Sequence, residues 1–413
     1  MIKVAVLGHG VVGSGVVEVI DTNQAYIRKN IGEGIEVKRI LDLRDFDVPY
    51  AQKFTKDFND ILNDDEISVV AEVMGGITPA FDFVKACLEK GKSVVTSNKE
   101  LVAAKGAELL KIARERDVNF HFEASVGGGI PIIRPLHSCL AANQIQEIAG
   151  ILNGTTNFIL TKMIKEQMPF DEALKLAQQL GYAERNPSAD VDGHDACRKI
   201  CILAALAYGK HVYPEYVYTE GITAITLEDV EYANNYGSVI KLIGRAKKLN
   251  DEGSLTCTVS PAFLDKSSQL ASINDVFNGI LVRGNATGDV LFYGKGAGKL
   301  PTASAVVADI IDAAKADKNN NALYWIDDGR NHVVNYLDIE EKYYVRLALP
   351  ENASGKLIEE VFGDVTFLSR PHQPKGEFAF VIDRITSRDL LEKEKLLEEQ
   401  GVSVLGKIRI LNY

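Results

Sequence analysis

The segment Glu184 to Lys199 gathers the carboxylates of Glu184, Asp190, Asp192 and Asp195 and one lysine into a turn-rich stretch that leads into an almost wholly apolar helix, Ala196 to Tyr208. Charged groups beside an apolar surface are costly unless something compensates them. Asp195 and Lys199 stand four residues apart and so share a helix face, and the residues that extend that face, Ile202, Leu203 and Leu206, are apolar. Lys199 is therefore expected at the mouth of a buried surface. The positive end of the helix dipole and partial burial both favour its neutral form, while Asp195 opposes them. An amine so balanced can take up or return a proton near neutral pH. From this segment alone, an ordinary solvated Asp/Lys helix pair is the plainer account.

A second amine stands at Lys99, at the end of Val94-Val95-Thr96-Ser97-Asn98-Lys99. The elements around it place it. Short apolar runs at Lys3–Leu7, Ile35–Leu41, Val69–Met74 and Ser93–Thr96 read as strands, and Val11–Ile20, Ala80–Lys90 and Lys99–Arg116 carry apolar residues at helical spacing. Strands that alternate with helices imply an α/β, doubly wound parallel sheet of Rossmann type, which binds ligands at the carboxyl ends of its strands. Lys99 falls at that edge. Taken alone it is a lysine at a helix start.

Between the first strand and first helix lies Gly8-His9-Gly10-Val11-Val12-Gly13, a G-x-G-x-x-G in the context that gives it meaning. Gly8 makes the turn, Gly10 lets the backbone approach a pyrophosphate, and Gly13 allows close packing. Val11 and Val12 open the helix whose free N–H groups face the phosphates. The end of the second strand offers both Asp42, suited to the ribose 2′-hydroxyl of NAD, and Arg44, suited to the 2′-phosphate of NADP, and neither residue settles the choice. Ser97, Lys99 and Gly298, the last in a later glycine-rich turn, complete the expected cofactor-facing set.

Past Pro135 the alternation gives way to Gly- and Asn-rich turns and the apolar helix. The expected organisation is a nucleotide domain over 1–135, completed by a helix at about 300–320, and an α+β substrate-facing domain over 136–300. The region 340–413 forms its own unit. There the pattern is β at Tyr343–Leu349, helix at Gly355–Phe362, β at Val365–Leu368 and Phe378–Arg384, helix at Ser387–Glu399 and β at Val402–Leu411. That βαββαβ order is ferredoxin-like.

Lys and Arg total 46 against 57 Asp and Glu, a net charge of −11, which disfavours nucleic acid or an anionic membrane as the main partner. A small-molecule substrate is the expectation. The five cysteines form no CxxC pair and no cluster with zinc spacing, so reduced, buried thiols are expected. The opening MIKVAVLG is unlike a secretion signal, and no apolar run approaches about 18 residues. Those features point to the cytoplasm.

Taken together, GHGVVG, MGGITPA, VVTSNKE, FEASVGGGIPII, GILNGTTNFIL, GYAERNP, DGHDACRK and GKGAGKLPTASAV, in that order, resemble the homoserine dehydrogenases along nearly the whole chain. The resemblance implies NAD(P)-dependent hydride transfer between L-homoserine and L-aspartate 4-semialdehyde, in threonine, methionine and isoleucine biosynthesis. It gives Lys199 the proton transfer and Lys99 a place between cofactor and substrate. Glu184 and Asp195 would hold homoserine, with Asp190 a weaker candidate. Glu123, Val126, Gly128 and Ile130 match a monovalent-cation site, for sodium, although as bare sequence that turn is only a hinge. A homodimer or homotetramer is implied.

The C-terminal region resembles an ACT regulatory domain whose turn, Asn352 to Leu357, lacks the usual Asp and Pro. With no kinase-like segment before Gly8, the expected form is the monofunctional one. Aspartate-semialdehyde dehydrogenase would need a nucleophilic cysteine in a glycine-rich turn, and none stands in one. A nucleotide-sensing regulator without catalysis would need neither lysine.

Overall fold

Alternating apolar strands and helices build a six-stranded sheet from β1 (Ile2–Leu7), β2 (Ile35–Leu41), β3 (Phe54–Thr55), β4 (Ile67–Glu72), β5 (Ser93–Thr96) and β6 (Phe120–His121). In the computed structural model, which describes residues 1–250, 253–315, 323–350 and 354–413, the order is β3-β2-β1-β4-β5-β6 and every neighbour is parallel. This is the Rossmann order, and it reverses direction between β1 and β4, where a crevice opens at the carboxyl ends. Val4 to Leu7 are fully buried, because helices cover both faces of such a sheet.

The chain divides into two compact units, the first made of residues 1–146, 198–214 and 282–332. Its core joins Val4, Val16, Ile20, Val37 and Val69 to Ala303, Val306 and Ile310 of the helix Lys299–Lys315. Gly15 makes that approach possible, since a Cβ there would meet the Lys299 carbonyl oxygen at 2.9 Å and the Ala303 Cβ at 3.0 Å. Trp325, the single tryptophan, is buried against Phe122, with its ring filling the space beside Gly106.

A buried carboxylate fixes the turn after β6. Glu123 Oε1 accepts the N–H groups of Ile132 (2.6 Å) and Ile133 (2.8 Å), and Oε2 accepts those of Arg134, backbone (2.9 Å) and Nε (3.2 Å). Its own N–H donates to Asp309 Oδ2 at 2.8 Å, so the returning helix is tied to the turn. Burial pushes the Asp309 carboxyl well above its ordinary range, against the pull of Arg134.

The second unit comprises residues 147–197, 215–281 and 333–413. The later strands are β7 (Ile145–Ile151), β8 (Tyr218–Thr219), β9 (Ser238–Lys248), β10 (Leu255–Asp265), β11 (Phe277–Gly284), β12 (Gly288–Lys295, in the first unit), β13 (Glu340–Ala348), β14 (Thr366–Leu368), β15 (Glu377–Thr386) and β16 (Ser403–Leu411). Within this unit the sheet runs β11-β7-β9-β10-β16-β13-β15-β14. The long antiparallel pair β9 and β10 was not expected from the sequence. Its strands are buried on both faces.

The C-terminal strands stand as β16-β13-β15-β14, all antiparallel, with the helices Lys356–Phe362 and Ser387–Glu398 between them in the chain. This is the ferredoxin-like arrangement expected from the βαββαβ pattern. Its core is Val345, Leu347, Ile358, Phe380, Leu390 and Leu397. Asn352 lies outside the described residues. Among the described residues no helix is long and apolar enough to cross a membrane. Cys87, Cys197, Cys201 and Cys257 are buried, but Cys139 is exposed, contrary to the expectation that all are buried.

Removing the Glu123 carboxylate, as in Glu123→Ala, strands two buried backbone N–H groups and a part-buried third, and unbalances Arg134. The first unit should lose about 3–5 kcal/mol of stability. Urea unfolding followed by the fluorescence of Trp325 checks this, and an unchanged midpoint would contradict the role given to the carboxylate.

Candidate functional site

The glycine fingerprint is shaped by two contacts. Gly8, at φ +96°, donates its N–H to the Leu41 carbonyl at 2.8 Å. A Cβ on Gly13 would stand 2.0 Å from the Gly8 carbonyl oxygen, so no side chain fits there. A Cβ on Gly10, by contrast, would meet nothing within 4 Å, which leaves the backbone open to a ligand. Gly10 caps the helix Val11–Thr22 without a side-chain hydrogen bond, and Val11 is exposed. These features fit a pyrophosphate on the helix N-terminus.

Beside the fingerprint lies a cleft of about 490 Å³ lined by Gly8, Gly10, Asp42, Arg44, Lys56 and Met74, among others. Asp42 and Arg44, offered by the sequence as alternatives, form one bidentate pair: Arg44 Nε to Oδ1 at 3.0 Å and Nη2 to Oδ2 at 2.9 Å. The His9 N–H adds a bond of 2.8 Å to Oδ2. The guanidinium and these backbone donors hold the Asp42 carboxyl well below its usual range. Gly298, at φ +120°, lies in the turn before the helix Lys299–Lys315.

Lys99 is the first residue of the helix Lys99–Glu115, capped by Asn98, whose Oδ1 accepts from Leu101 N at 3.1 Å. Beneath the cap sits the fully buried Glu72. It accepts from Thr96 Oγ1 at 2.6 Å and Met74 N at 2.8 Å, and Asn98 Nδ2 donates to the Gly76 carbonyl at 2.6 Å. The network fixes the loop after β4 and the helix that presents Lys99, with Ser97 half-buried between. Burial raises the Glu72 carboxyl above its ordinary value. Sequence reasoning missed Glu72, because its partners lie 24 and 26 residues on.

Asp195 and Lys199 share the helix His194–Tyr208, and both are buried, at 4% and 8% exposure. The helix starts two residues earlier than expected, so Lys199 is its sixth residue. The dipole's influence fades within the first turn, and that part of the sequence expectation is weakened. Arg198 pairs with Glu100 at 3.2 Å, so an ion pair joins the residues beside the two lysines. Asp190 and Asp195 are brought together by Asn153, whose Nδ2 donates to Asp190 Oδ1 at 2.7 Å and to Asp195 Oδ2 at 2.8 Å. Glu184 lies exposed on its loop.

In the turn Glu123 to Ile130, Gly127 and Gly128 take φ of +76° and +55°. The Glu123 carboxylate is occupied by its four N–H donors, so only backbone carbonyls there suit a hard cation. Among the described residues no group of three or more His, Cys, Asp or Glu side chains is arranged to hold a metal.

A family model described as "Homoserine dehydrogenase, NAD binding domain" matches residues 8–123, and one described as "Homoserine dehydrogenase" matches residues 131–311. The homoserine dehydrogenase of Lactococcus lactis subsp. lactis is 37% identical over 428 residues, 99% of each chain. The chain belongs to the homoserine dehydrogenase family. That of Mycobacterium bovis is 41% identical over 420 residues, covering 100% of this chain and 91% of the other. A homoserine dehydrogenase structure from Thiobacillus denitrificans superposes with a TM-score of 0.90 at 33% identity, over 100% of this chain and 98% of that one. A hyperthermophilic archaeal homoserine dehydrogenase in complex with NADPH matches at a TM-score of 0.65 and 29% identity, over 76% of this chain and 97% of its own.

Membership makes the chain an NAD(P)-dependent oxidoreductase, as the resemblance implied. It sets aside the rival readings of a semialdehyde dehydrogenase and of a sensor without catalysis. Every residue from Asn153 to Lys199 falls inside the second matched segment, and Gly8 to Lys99 inside the first.

Proposed function

We propose that this homoserine dehydrogenase interconverts L-homoserine and L-aspartate 4-semialdehyde, toward threonine, methionine and isoleucine, with Lys199 moving the proton. The observation that carries the assignment is the pair Asp195 and Lys199, both withdrawn from water on one helix face. A nicotinamide dinucleotide supplies the hydride acceptor when bound. Lys199 Nζ takes the hydroxyl proton as the carbinol carbon gives up hydride, and returns it in the reverse direction. Lys99, fixed by its capped helix start, orients the groups between cofactor and substrate. Asp195, Glu184 and Asp190 hold the substrate's ammonium, and the exposed Glu184 is accessible to a substrate arriving from solvent.

Asp42 is matched to a ribose 2′-hydroxyl and Arg44, with Lys56 in the same cleft, to a 2′-phosphate, so both NAD and NADP are accepted. A monovalent cation such as sodium would be held by the carbonyls of Glu123, Val126, Gly128 and Ile130, where it stiffens the turn. The protein works in the cytoplasm as a homodimer or homotetramer associated through its central domain. The ACT-like C-terminal domain serves packing or association rather than a strong threonine response.

Lys199→Ala should lower turnover by about 10²–10⁴-fold and leave NADPH affinity nearly unchanged. A loss under about tenfold in a normally folded variant would remove the lysine from proton transfer. Glu184→Gln should raise the KM for homoserine more than it lowers kcat, and an unaltered KM would take Glu184 out of the site. With Arg44→Ala, kcat/KM for NADP should fall about 10- to 100-fold relative to that for NAD. Equal losses with the two cofactors, assayed side by side, would refute the assignment.

A further inference from the structure

The stretch Asn153-Gly-Thr-Thr-Asn157 has no part in the chemistry assigned above, yet its side chains reach Asp190, Asp195 and the loop that carries Glu184. Asn153 caps the helix Gly154–Glu166, its Oδ1 accepting from Thr156 N at 2.8 Å. That bond fixes which way the amide faces, with the oxygen on the helix and the nitrogen turned away. An amide nitrogen carries two protons, and here each goes to a different carboxylate, Asp190 at 2.7 Å and Asp195 at 2.8 Å. Asn153 is only 5% exposed. Two residues on, Thr155 Oγ1 donates to the Tyr182 carbonyl at 2.6 Å, in the loop that carries Glu184. Asn157 has a different task, its Nδ2 donating to the carbonyls of Asp275 and Phe277.

Two carboxylates within reach of one nitrogen repel each other, and each would gain by taking up a proton. Donated N–H bonds favour the ionised form and offset that tendency. Serine, threonine or aspartate could cap this helix as well as asparagine. Only asparagine offers the cap acceptor and two donors at once. We infer that Asn153 is a positioning residue for homoserine, which sets the spacing of Asp190 and Asp195 and keeps both charged to receive the substrate's ammonium. This rests on Asp190 and Asp195 facing the substrate.

The test uses the full chain with Asn153→Ser, which keeps the cap and replaces the two amide N–H donors by one shorter hydroxyl, and Asn153→Asp, which keeps size and cap but adds a third carboxylate. The serine variant should melt close to the parent and the aspartate variant lower, because its added carboxylate is buried against two others, and both should bind NADPH, followed by its fluorescence, as the parent does. Their kcat/KM for homoserine should fall about 10- to 100-fold, the scale of a lost hydrogen bond to a charged group, mostly through KM and more in the aspartate variant. In an Asp190→Asn background the effect of Asn153→Ser should shrink, because the two act as one unit. Kinetics within twofold of the parent, or a loss that adds in full to that of Asp190→Asn, would overturn the inference. Normal homoserine kinetics in both Asp190→Asn and Asp195→Asn would sink the substrate-facing assignment and this inference with it.

Discussion

A buried carboxylate answered by N–H donors recurs at three places beside the candidate site, Glu72, Glu123 and Asp195. Glu72 gathers the loop after β4 and, through Thr96 and Asn98, the helix that presents Lys99. Glu123 binds three successive backbone N–H groups and draws Arg134 and the helix Lys299–Lys315 around it. Asp195 is met by Asn153. A carboxylate taken out of water without such partners would neutralise itself or unfold its surroundings. With them it is a rigid anchor, since hydrogen bonds to charged groups are the strong ones.

The parts of this design legible in the sequence are those written locally. The turn from Gly8 to Gly13 is read from six residues because its defining contact, Gly13 on the Gly8 carbonyl, lies within the motif. The C-terminal ferredoxin-like unit is legible because its strands and helices alternate at short range, and their observed ends differ from expectation by no more than three residues. Lys99, Lys199 and Asp195 stand out as charges beside apolar runs.

What escaped is non-local. Asn153 meets its carboxylates 37 and 42 residues away, and Gly15 shows its purpose only against Lys299 and Ala303. Asp42 and Arg44 looked like competing signals because nothing in a linear sequence says that two neighbours will grip each other. β9 is buried on both faces and carries the fully buried Lys241, a residue that argues against a core strand. That amine is accommodated by Asn157 Oδ1 and the Ile273 carbonyl, with burial bringing it down to about 7.

The place of the helix Lys299–Lys315 in the first core has a consequence for how the protein is made. Val4, Val16 and Ile20 are synthesised at the start, but the Val306 and Ile310 side chains that cover them come some three hundred residues later. At ribosomal speeds of about 5–20 residues per second, the N-terminal sheet waits on the order of 15–60 s with one apolar face unsealed. During that interval the nascent chain is a natural client for chaperones. Truncation anywhere before the helix leaves not a smaller nucleotide domain but one with an open, aggregation-prone flank.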